Sequence, residues 1–274
     1  MSGQRSLPVS RDSARCVLGS DDPPAFRLEE HGATYPAVVV CDHASNAVPR
    51  SLEALGLTAA QLSLHIAWDV GAAALARHVA QQLSLPLIAA GFSRLVIDCN
   101  RHLEDPGSIL RVSDGQAIPG NAALDVSQRA ERAAAIFHPY HAAVETALQQ
   151  AAMRVAAPAL IAIHSFTPVM RGFQRPWHCG ILWDKDPRIP QAFIQALRRP
   201  GDVQVGDNEP YSGRDPADYT VSVHAESRGW PHVCIEVRQD LLQSAQDVAA
   251  WGRRLAAPLK SILANSSLYE VARY

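Results

Sequence analysis

The sequence predicts a single α/β domain built on a mostly parallel mixed sheet that is flanked by helices. The chain has 274 residues, of which 47% are hydrophobic and 19% are charged, a composition that supports one large core and excludes a disordered chain. Short apolar runs rich in β-branched residues alternate with segments of helical periodicity. Because strands that alternate with helices are joined by right-handed crossovers, this pattern predicts parallel strands that are covered on both faces.

Six apolar runs are typical of buried strands, which need no polar face when helices cover both sides of the sheet. The first run reads AVVVC and stops at Asp42 and His43. In chain order, the predicted strands are residues 37–41, 86–90, 94–98, 159–163, 178–182 and 233–237.

Four segments predict helices. Residues 67–83 place small and aliphatic side chains on one helical face, as expected of a helix that packs on a sheet. Residues 124–153 are rich in Ala, Gln, Arg and Glu, and they predict a long helix that Pro139 kinks or splits. The remaining predicted helices cover residues 189–198 and 244–263.

No linker or internal repeat divides the chain, so we expect residues 26–274 to form the domain and residues 1–25 to be a loose or surface-draped leader. The leader lacks the apolar segment of a signal peptide, and the sequence contains no stretch of about 18 apolar residues that would predict a membrane span.

The net charge of −2 argues against nucleic-acid binding. Five cysteines without a CxxC pair are typical of reduced thiols in a cytoplasmic protein. The sequence does not predict an oligomeric state.

Polar residues cluster where the predicted strands end. They are His43 after the first strand, Asn100 and Arg101 after the third, His164 after the fourth, and Glu236 within the last. In open α/β sheets, ligands bind at the carboxyl ends of the strands. Two imidazoles and a carboxylate that converge there suit a divalent metal, zinc above all, which activates water. A separate carboxylate is then needed as a proton shuttle.

Each of these residues also has a purely structural interpretation. A histidine after a strand can simply be hydrogen-bonded, and Glu236 can be a buried ion-pair partner of Arg238. Asp98 and Arg101 can pair with each other. The residue pattern alone therefore indicates an α/β hydrolase, with or without a metal.

Six longer motifs follow one another along the chain and carry a family resemblance. They are CDHASN at 41–46, HIAWDVG at 65–71, SRLVIDCNR at 93–101, HSFTP at 164–168, DNEPY at 207–211 and EVRQD at 236–240. Over residues 22–255 they resemble the N-formylglutamate amidohydrolase family. Three of the segments also resemble, in order, the metal and substrate segments of zinc carboxypeptidases and aspartoacylase-like deacylases. The resemblance implies a phosphorylase/hydrolase-like fold of the zinc carboxypeptidase type.

The resemblance implies a role for each matching residue. His43 and His164 match the metal-binding histidines. Glu236 matches the carboxylate that deprotonates the attacking water and passes the proton to the leaving nitrogen. Asn100 and Arg101 match the pair that binds the α-carboxylate of the substrate, a task that suits the forked guanidinium.

Further candidates are less tightly tied to the motifs. Arg94 and Arg238 are candidates for stabilising the oxyanion. Tyr211 is either a mobile residue that closes over the substrate or an ordinary turn residue. Ser165 belongs to neither a GxSxG elbow nor a triad, and we count it among the substrate-binding residues.

One position departs from the carboxypeptidase pattern, in which a glutamate follows the first metal histidine by three residues. Asn46 occupies it here, and an amide oxygen is a poor zinc ligand beside a carboxylate. We expect Asp69, at the start of the predicted helix 67–83, to replace it. The expected ligands are therefore His43, Asp69 and His164, with Asn46 as an outer or weak ligand. The departure also leaves open a metal other than zinc.

The resemblance implies metal-dependent hydrolysis of a small N-acyl amino acid, with the conversion of N-formyl-L-glutamate to formate and glutamate as the type case. Two alternatives stay open. One is a metallocarboxypeptidase or a deacylase of another N-acyl amino acid. The other, motivated by Asn46, is a catalytically degenerate protein that binds a small carboxylate without turnover.

Overall fold

A seven-stranded mixed sheet runs through the centre of the computed structural model, which describes residues 16–274. Its strands are β1 (Phe26–Glu29), β2 (Ala37–Cys41), β3 (Leu87–Ala90), β6 (Ala159–Phe166), β9 (Cys179–Leu182), β10 (Val205–Asp207) and β11 (His232–Arg238), and two short hairpins add β4 (Val112–Ser113), β5 (Gln116–Ala117), β7 (Val169–Met170) and β8 (Phe173–Gln174). The order across the sheet is β1-β3-β2-β6-β11-β9-β10. Neighbouring strands are parallel except β1 against β3 and β9 against β11. The predicted single α/β domain with a mostly parallel mixed sheet is confirmed.

Helices cover both faces of this sheet. They are α1 (Ala59–Leu62), α2 (Ala72–Leu83), α3 (Val126–Arg132), α4 (His138–Ala152), α5 (Pro190–Arg198), α6 (Thr220–His224) and α7 (Ala245–Leu263). Helices α2, α5 and α7 share one apolar cluster on one face, and α4 belongs to a second cluster on the other. Within residues 16–274, no helix combines the length and the apolar composition that a membrane span requires.

The two clusters follow from the alternation of side chains along each buried strand. In β2, Val38 and Val40 belong to the α4 side, whereas Val39 and Cys41 belong to the side of α2, α5 and α7. Every residue of β2 is buried, which explains the unbroken apolar run in the sequence.

Residues 124–153 form two helices, as Pro139 predicts. A wide, π-type turn at Ala133–Phe137 joins α3 to α4. In a regular α-helix the ring of a proline collides with the carbonyl four residues before it and removes one backbone hydrogen bond. The wide turn directly before α4 makes room for that ring.

The predicted strand at residues 94–98 is wrong. This segment forms turns, in which the Val96 N–H donates to the Ser93 carbonyl over 2.9 Å. Leu95, Val96 and Ile97 all pack into the cluster on the α4 side, whereas a strand would send alternate side chains to opposite faces. Apolar runs of this length do not distinguish a buried turn from a strand.

Two predicted boundaries also shift, and both matter for the site. β6 continues past residue 163 to Phe166 because β11 pairs with it along this whole stretch. His164 therefore lies inside the strand and not after it. Helix α2 begins at Ala72 behind Gly71, whose φ of 82° ends the preceding turn. Asp69 consequently lies in that turn and not within a helix.

The described part of the predicted leader lies against the domain. The Gly91 N–H donates to the Ala25 carbonyl over 2.8 Å, and Ser51 Oγ donates to the Val17 carbonyl over 2.6 Å. Residues 1–15, which make up most of the predicted leader, lie outside the described residues.

We predict that Gly180→Ala destabilises the fold. Gly180 lies in β9 beside Glu236 of β11, and a Cβ there would come within 2.0 Å of the Glu209 carbonyl oxygen. Overpacking of this kind lowers the free energy of unfolding by about 1–3 kcal/mol. Chemical denaturation measures the loss. Gly19→Ala is the control, because its Cβ would meet only Asp22 Oδ2 at 3.7 Å. Equal stability of the two variants would contradict the prediction.

Candidate active site

The candidate site is a cavity of about 290 Å³ at the carboxyl ends of the central parallel strands. His43 reaches it from the turn after β2, His164 from β6 and Glu236 from β11. Glu236 is the direct register partner of His164 on the neighbouring parallel strand. Because ligands of open α/β sheets bind at this edge, the sheet itself brings these residues together.

Three buried side chains form a group that could bind a metal ion. The ligand atoms of His43, Asp69 and His164 all lie within 4.8 Å of one another. Asp69 Oδ2 is 3.3 Å from Nδ1 of His43 and 2.9 Å from Nδ1 of His164. Two nitrogens and one carboxylate oxygen form a ligand set that zinc and other divalent metals accept in proteins.

Two further carboxylates, one for each ring, fix the orientation of the two histidines. Nε2 of His43 lies 2.8 Å from Asp98 Oδ1, and Nε2 of His164 lies 3.1 Å from Asp42 Oδ2. An ionised carboxylate only accepts hydrogen bonds, so each Nε2 carries the proton. Each Nδ1 then faces Asp69 Oδ2: a charged ring donates to this oxygen, and a neutral ring offers its Nδ1 lone pair to a metal. Carboxylates in this position commonly orient metal-binding histidines.

The surrounding charges favour a cation between these donors. Burial alone would raise the pKa of Asp42, but its hydrogen bond with His164 and the charge of that ring lower it to about 2. Burial opposes a positive charge on His164, yet hydrogen bonds with Asp42 and Asp69 raise the pKa of that ring well above its ordinary value. A site that binds a positive charge this strongly suits a metal cation.

Asp69 is held in place by Arg94 and Ser165, two residues that the sequence analysis assigns to the substrate. Arg94 donates from Nε and Nη2 to Asp98 Oδ2 over 3.1 and 2.8 Å, and its Nη1 lies 3.5 Å from Asp69 Oδ1. Ser165 donates from its backbone N–H to Asp69 Oδ2 over 3.4 Å and from Oγ to the Val70 carbonyl over 2.8 Å. Both residues line the cavity, but Arg94 is occupied with the carboxylates and Ser165 Oγ with the backbone carbonyl of Val70.

Glu236 differs from the other acids of the site. It is only 7% exposed, and burial raises the pKa of its carboxyl above the ordinary value. Its Oε2 atom is buried and has no hydrogen-bond partner within the described part of the chain. Because buried polar atoms are rarely left without partners, this oxygen is a candidate for contact with a ligand.

Asn100 and Arg101 both line the cavity, but they are engaged in different ways. Asn100 Oδ1 accepts hydrogen bonds from the backbone N–H groups of Tyr219 and Thr220 over 3.1 and 2.9 Å. Arg101 donates from Nη1 to the Asn100 carbonyl and to Asp218. The amide oxygen of Asn100 thus accepts from the protein's own backbone. Within residues 16–274, Arg101 donates hydrogen bonds from only one of its three nitrogens, Nη1.

The structure does not bring two of the predicted residues to the cavity. Asn46 donates from Nδ2 to the Leu62 carbonyl over 3.0 Å and lies outside the metal-binding group. Arg238 donates from Nε and Nη2 to Asp240 over 2.8 and 3.2 Å, and its Nη1 faces backbone carbonyls. Neither residue lines the cavity. Both side chains therefore lie away from this cavity, and the roles expected of Asn46 and Arg238 stay untested predictions.

Tyr211 lines the cavity and is 39% exposed. It belongs to the segment between β10 and α6, and the guanidinium carbon of Arg175 lies 4.8 Å from its ring centroid. Burial raises the pKa of its hydroxyl, so the side chain stays a neutral donor near pH 7. The role of Tyr211 in substrate binding stays a prediction.

Sequence reasoning missed several residues that shape the site. Asp42 and Asp98 orient the two histidines, Asp218 contacts Arg101, and His65 lines the cavity 3.4 Å from Asp114. Asp42 and Asp98 lie inside the quoted motifs, so their positions beside His43 and before Asn100 were a usable signal. Nothing local in the sequence points to Asp218, which is 117 positions from Arg101.

A family model and two solved structures match the chain. The family model of N-formylglutamate amidohydrolases matches residues 35–243. The crystal structure of a gene product from Agrobacterium tumefaciens is 36% identical, with a TM-score of 0.85, and the match covers 93% of this chain and 100% of that one. The crystal structure of the N-formylglutamate amidohydrolase from Ralstonia eutropha is 20% identical, with a TM-score of 0.61 and coverage of 87% and 96%. None of the curated proteins compared with the chain matches it.

We predict that Asp98→Asn weakens metal binding about 10–100-fold, since residues that orient a ligating histidine have effects of this size. Titration of Zn²⁺ against a chromophoric chelator measures the affinity of the purified protein. Asp202→Asn is the control, because it removes a carboxylate that pairs with Arg254 on the surface. An unchanged affinity in Asp98→Asn would show that this carboxylate does not support a metal ligand.

Proposed function

The chain belongs to the N-formylglutamate amidohydrolase family, and we propose that it hydrolyses the amide bond of a small N-acyl amino acid, with N-formyl-L-glutamate as the type substrate. The family name indicates an amidohydrolase that acts on a small molecule. The metal dependence, the substrate, the residue roles and a zinc carboxypeptidase-like arrangement of the fold are our proposals.

One observation carries the proposal. Among residues 16–274, a group that could bind a metal, an acid with an unpartnered oxygen and an arginine with unused donors all line one cavity. Hydrolysis of an acylated amino acid needs these three functions: activation of the carbonyl, proton transfer, and recognition of the carboxylate.

We propose that His43, Asp69 and His164 bind Zn²⁺. The fit rests on the convergence of both Nδ1 atoms on Asp69 Oδ2, with each Nε2 already bonded to a carboxylate. When bound, a divalent metal would polarise the amide carbonyl and lower the pKa of water. The remaining steps belong to side chains of the chain itself.

Arg101 binds the α-carboxylate of the substrate in this proposal. Its Nη1 is occupied by the Asn100 carbonyl and Asp218, and no hydrogen bond within residues 16–274 uses Nε or Nη2. These two nitrogens form one edge of the guanidinium, and such an edge binds both oxygens of a carboxylate side by side. Arg94 lacks a comparable free edge because Asp98 accepts from its Nε and Nη2.

Glu236 moves the proton. Its carboxylate takes a proton from the attacking water, whose oxygen forms a bond to the acyl carbon. The same proton then passes to the nitrogen as the carbon–nitrogen bond breaks, which gives formate and the free amino acid. Burial raises the pKa of the Glu236 carboxyl, so the group accepts and returns the proton near neutral pH more readily than an exposed glutamate.

We predict that the protein releases formate from N-formyl-L-glutamate when loaded with Zn²⁺ and that Glu236→Gln lowers kcat about 10²–10⁴-fold, the usual contribution of a positioned acid–base group. A formate assay and the metal content of each variant check this. The variant should bind as much metal as the wild type. Full activity in Glu236→Gln would remove this residue as the base.

The same assay separates the alternative functions. Release of larger acyl groups or of C-terminal residues, but not of formate, would indicate another deacylase or a carboxypeptidase. Substrate binding without turnover under any divalent metal would indicate a degenerate member of the family.

We predict that Arg101→Ala raises KM for N-formyl-L-glutamate about 100-fold and changes kcat much less, because a side-by-side pair of charge-assisted hydrogen bonds is lost. The matched substrate is the α-amide, which lacks the negative charge. Its KM should hardly change. An equal loss for acid and amide would show that Arg101 does not recognise the α-carboxylate.

A further inference from the structure

The contacts of Arg101 are unequally distributed over its guanidinium. Nη1 carries two N–H groups, and both are used, one for the Asn100 carbonyl at 2.9 Å and one for Asp218 Oδ1. The side chains of Arg101 and Asp218 are 23% and 25% exposed, so the pair lies at the cavity wall and not on the open surface. The contact therefore fixes one end of the guanidinium, and no residue of the described range 16–274 bonds the opposite edge.

Asp218 is itself held by several contacts. Asn100 Nδ2 donates to its Oδ1 over 3.3 Å, and the backbones of Arg101 and Asp218 form an isolated antiparallel bridge. Asn100 Oδ1 accepts from the next two backbone N–H groups, those of Tyr219 and Thr220. An aspartate anchored by its backbone and by a neighbouring amide is a rigid partner for a flexible arginine.

The same segment reaches the metal-binding group through Thr220. Its Oγ1 donates to Asp42 Oδ1 over 2.7 Å, and Asp42 Oδ2 in turn accepts from Nε2 of His164. Tyr140 donates to Asp42 Oδ1 as well, over 2.7 Å. Residues 218–220 therefore connect Arg101 to His164 through Asp42.

We propose that Asp218 is a positioning residue that turns the Nε and Nη2 edge of Arg101 toward the substrate. This inference rests on the proposed role of Arg101 as the carboxylate-binding residue. An arginine side chain has several rotatable bonds, and holding its planar group in the binding orientation before the substrate arrives removes an entropic cost from binding. Asp218 acts through Arg101 and makes no contact with the reacting atoms.

The opposite interpretation of the same pair is that Asp218 competes with the substrate for Arg101. The geometry favours positioning, because Asp218 occupies Nη1 and leaves vacant the edge that a carboxylate prefers. The two interpretations predict changes of opposite sign when Asp218 loses its charge.

Equilibrium binding to the Glu236→Gln protein loaded with Zn²⁺ provides the test, since turnover does not interfere. The probes are N-formyl-L-glutamate and its α-amide, measured by calorimetry against Asp218→Asn, Arg101→Ala and the double variant. We expect Asp218→Asn to weaken binding of the acid about tenfold, the size of one charge-assisted hydrogen bond, and to leave the amide unchanged. In the Arg101→Ala background it should have no further effect.

Asp215→Asn is the matched control. Asp215 lies in the same segment and lines the same cavity, but no ion pair within 4.0 Å joins it to Arg101, so we expect no change in the acid-to-amide ratio. Thermal unfolding of each variant verifies that it is folded. If Asp218→Asn disrupts folding, Asp218→Glu replaces it and should retain part of the selectivity.

Each of the following results would overturn the proposal. Tighter binding of the acid by Asp218→Asn would identify Asp218 as a competitor. Equal weakening for acid and amide would assign it a general structural role, and so would a further loss in the Arg101→Ala background. If Arg101→Ala itself leaves the acid-to-amide ratio unchanged, the proposed function of Arg101 fails. If only Asp218→Asn leaves it unchanged, the inference about Asp218 fails alone.

Discussion

The site depends on two buried imidazole–carboxylate hydrogen bonds, in which His43 donates to Asp98 and His164 donates to Asp42. Each bond determines which nitrogen carries the proton, and thereby directs the other nitrogen at Asp69. The negative charges in this small volume are costly to bury unless a cation accompanies them. Arg94 balances part of the charge through Asp98, and the remainder makes the space beside Asp69 favourable for a metal.

The sheet supplies the rigidity that this arrangement needs. His164 and Glu236 are register partners on adjacent parallel strands, so their separation is set by the hydrogen bonds of β6 and β11 and not by a flexible loop. The arginine and its aspartate come instead from the turns around residue 100 and the segment before α6. Of the groups assigned to chemistry, His164 and Glu236 thus lie on the sheet, while His43, Asp69 and the groups assigned to recognition lie on connections.

Much of the fold was predictable because apolar runs and helical periodicity report burial directly, and the motifs located His43, Asp69, His164 and Glu236. The errors share a cause. Residues 94–98 resemble a strand because a buried turn is as apolar as a strand. The pairing of Arg101 with Asp218 spans 117 positions, and only the folded chain reveals such a contact. The partners of Arg94 and Arg238 could not be predicted either, because the type of a residue does not show which groups its donors contact in the fold.

The wide turn at Ala133–Phe137 has a consequence for how this chain tolerates insertions and deletions. A π-type turn holds one residue more than a regular helical turn. Closing the turn to regular α-helical geometry absorbs the loss of one residue, whereas an insertion there would rotate α4 relative to α3 by roughly 100° and carry Tyr140 away from Asp42, to which it donates. The length of a peripheral helix is therefore coupled to the orientation of His164. Lengthening by a single codon would therefore disturb a contact at the centre of the sheet, whereas the turn at Gly201, where an added Cβ would meet no described atom within 4 Å, imposes no such register.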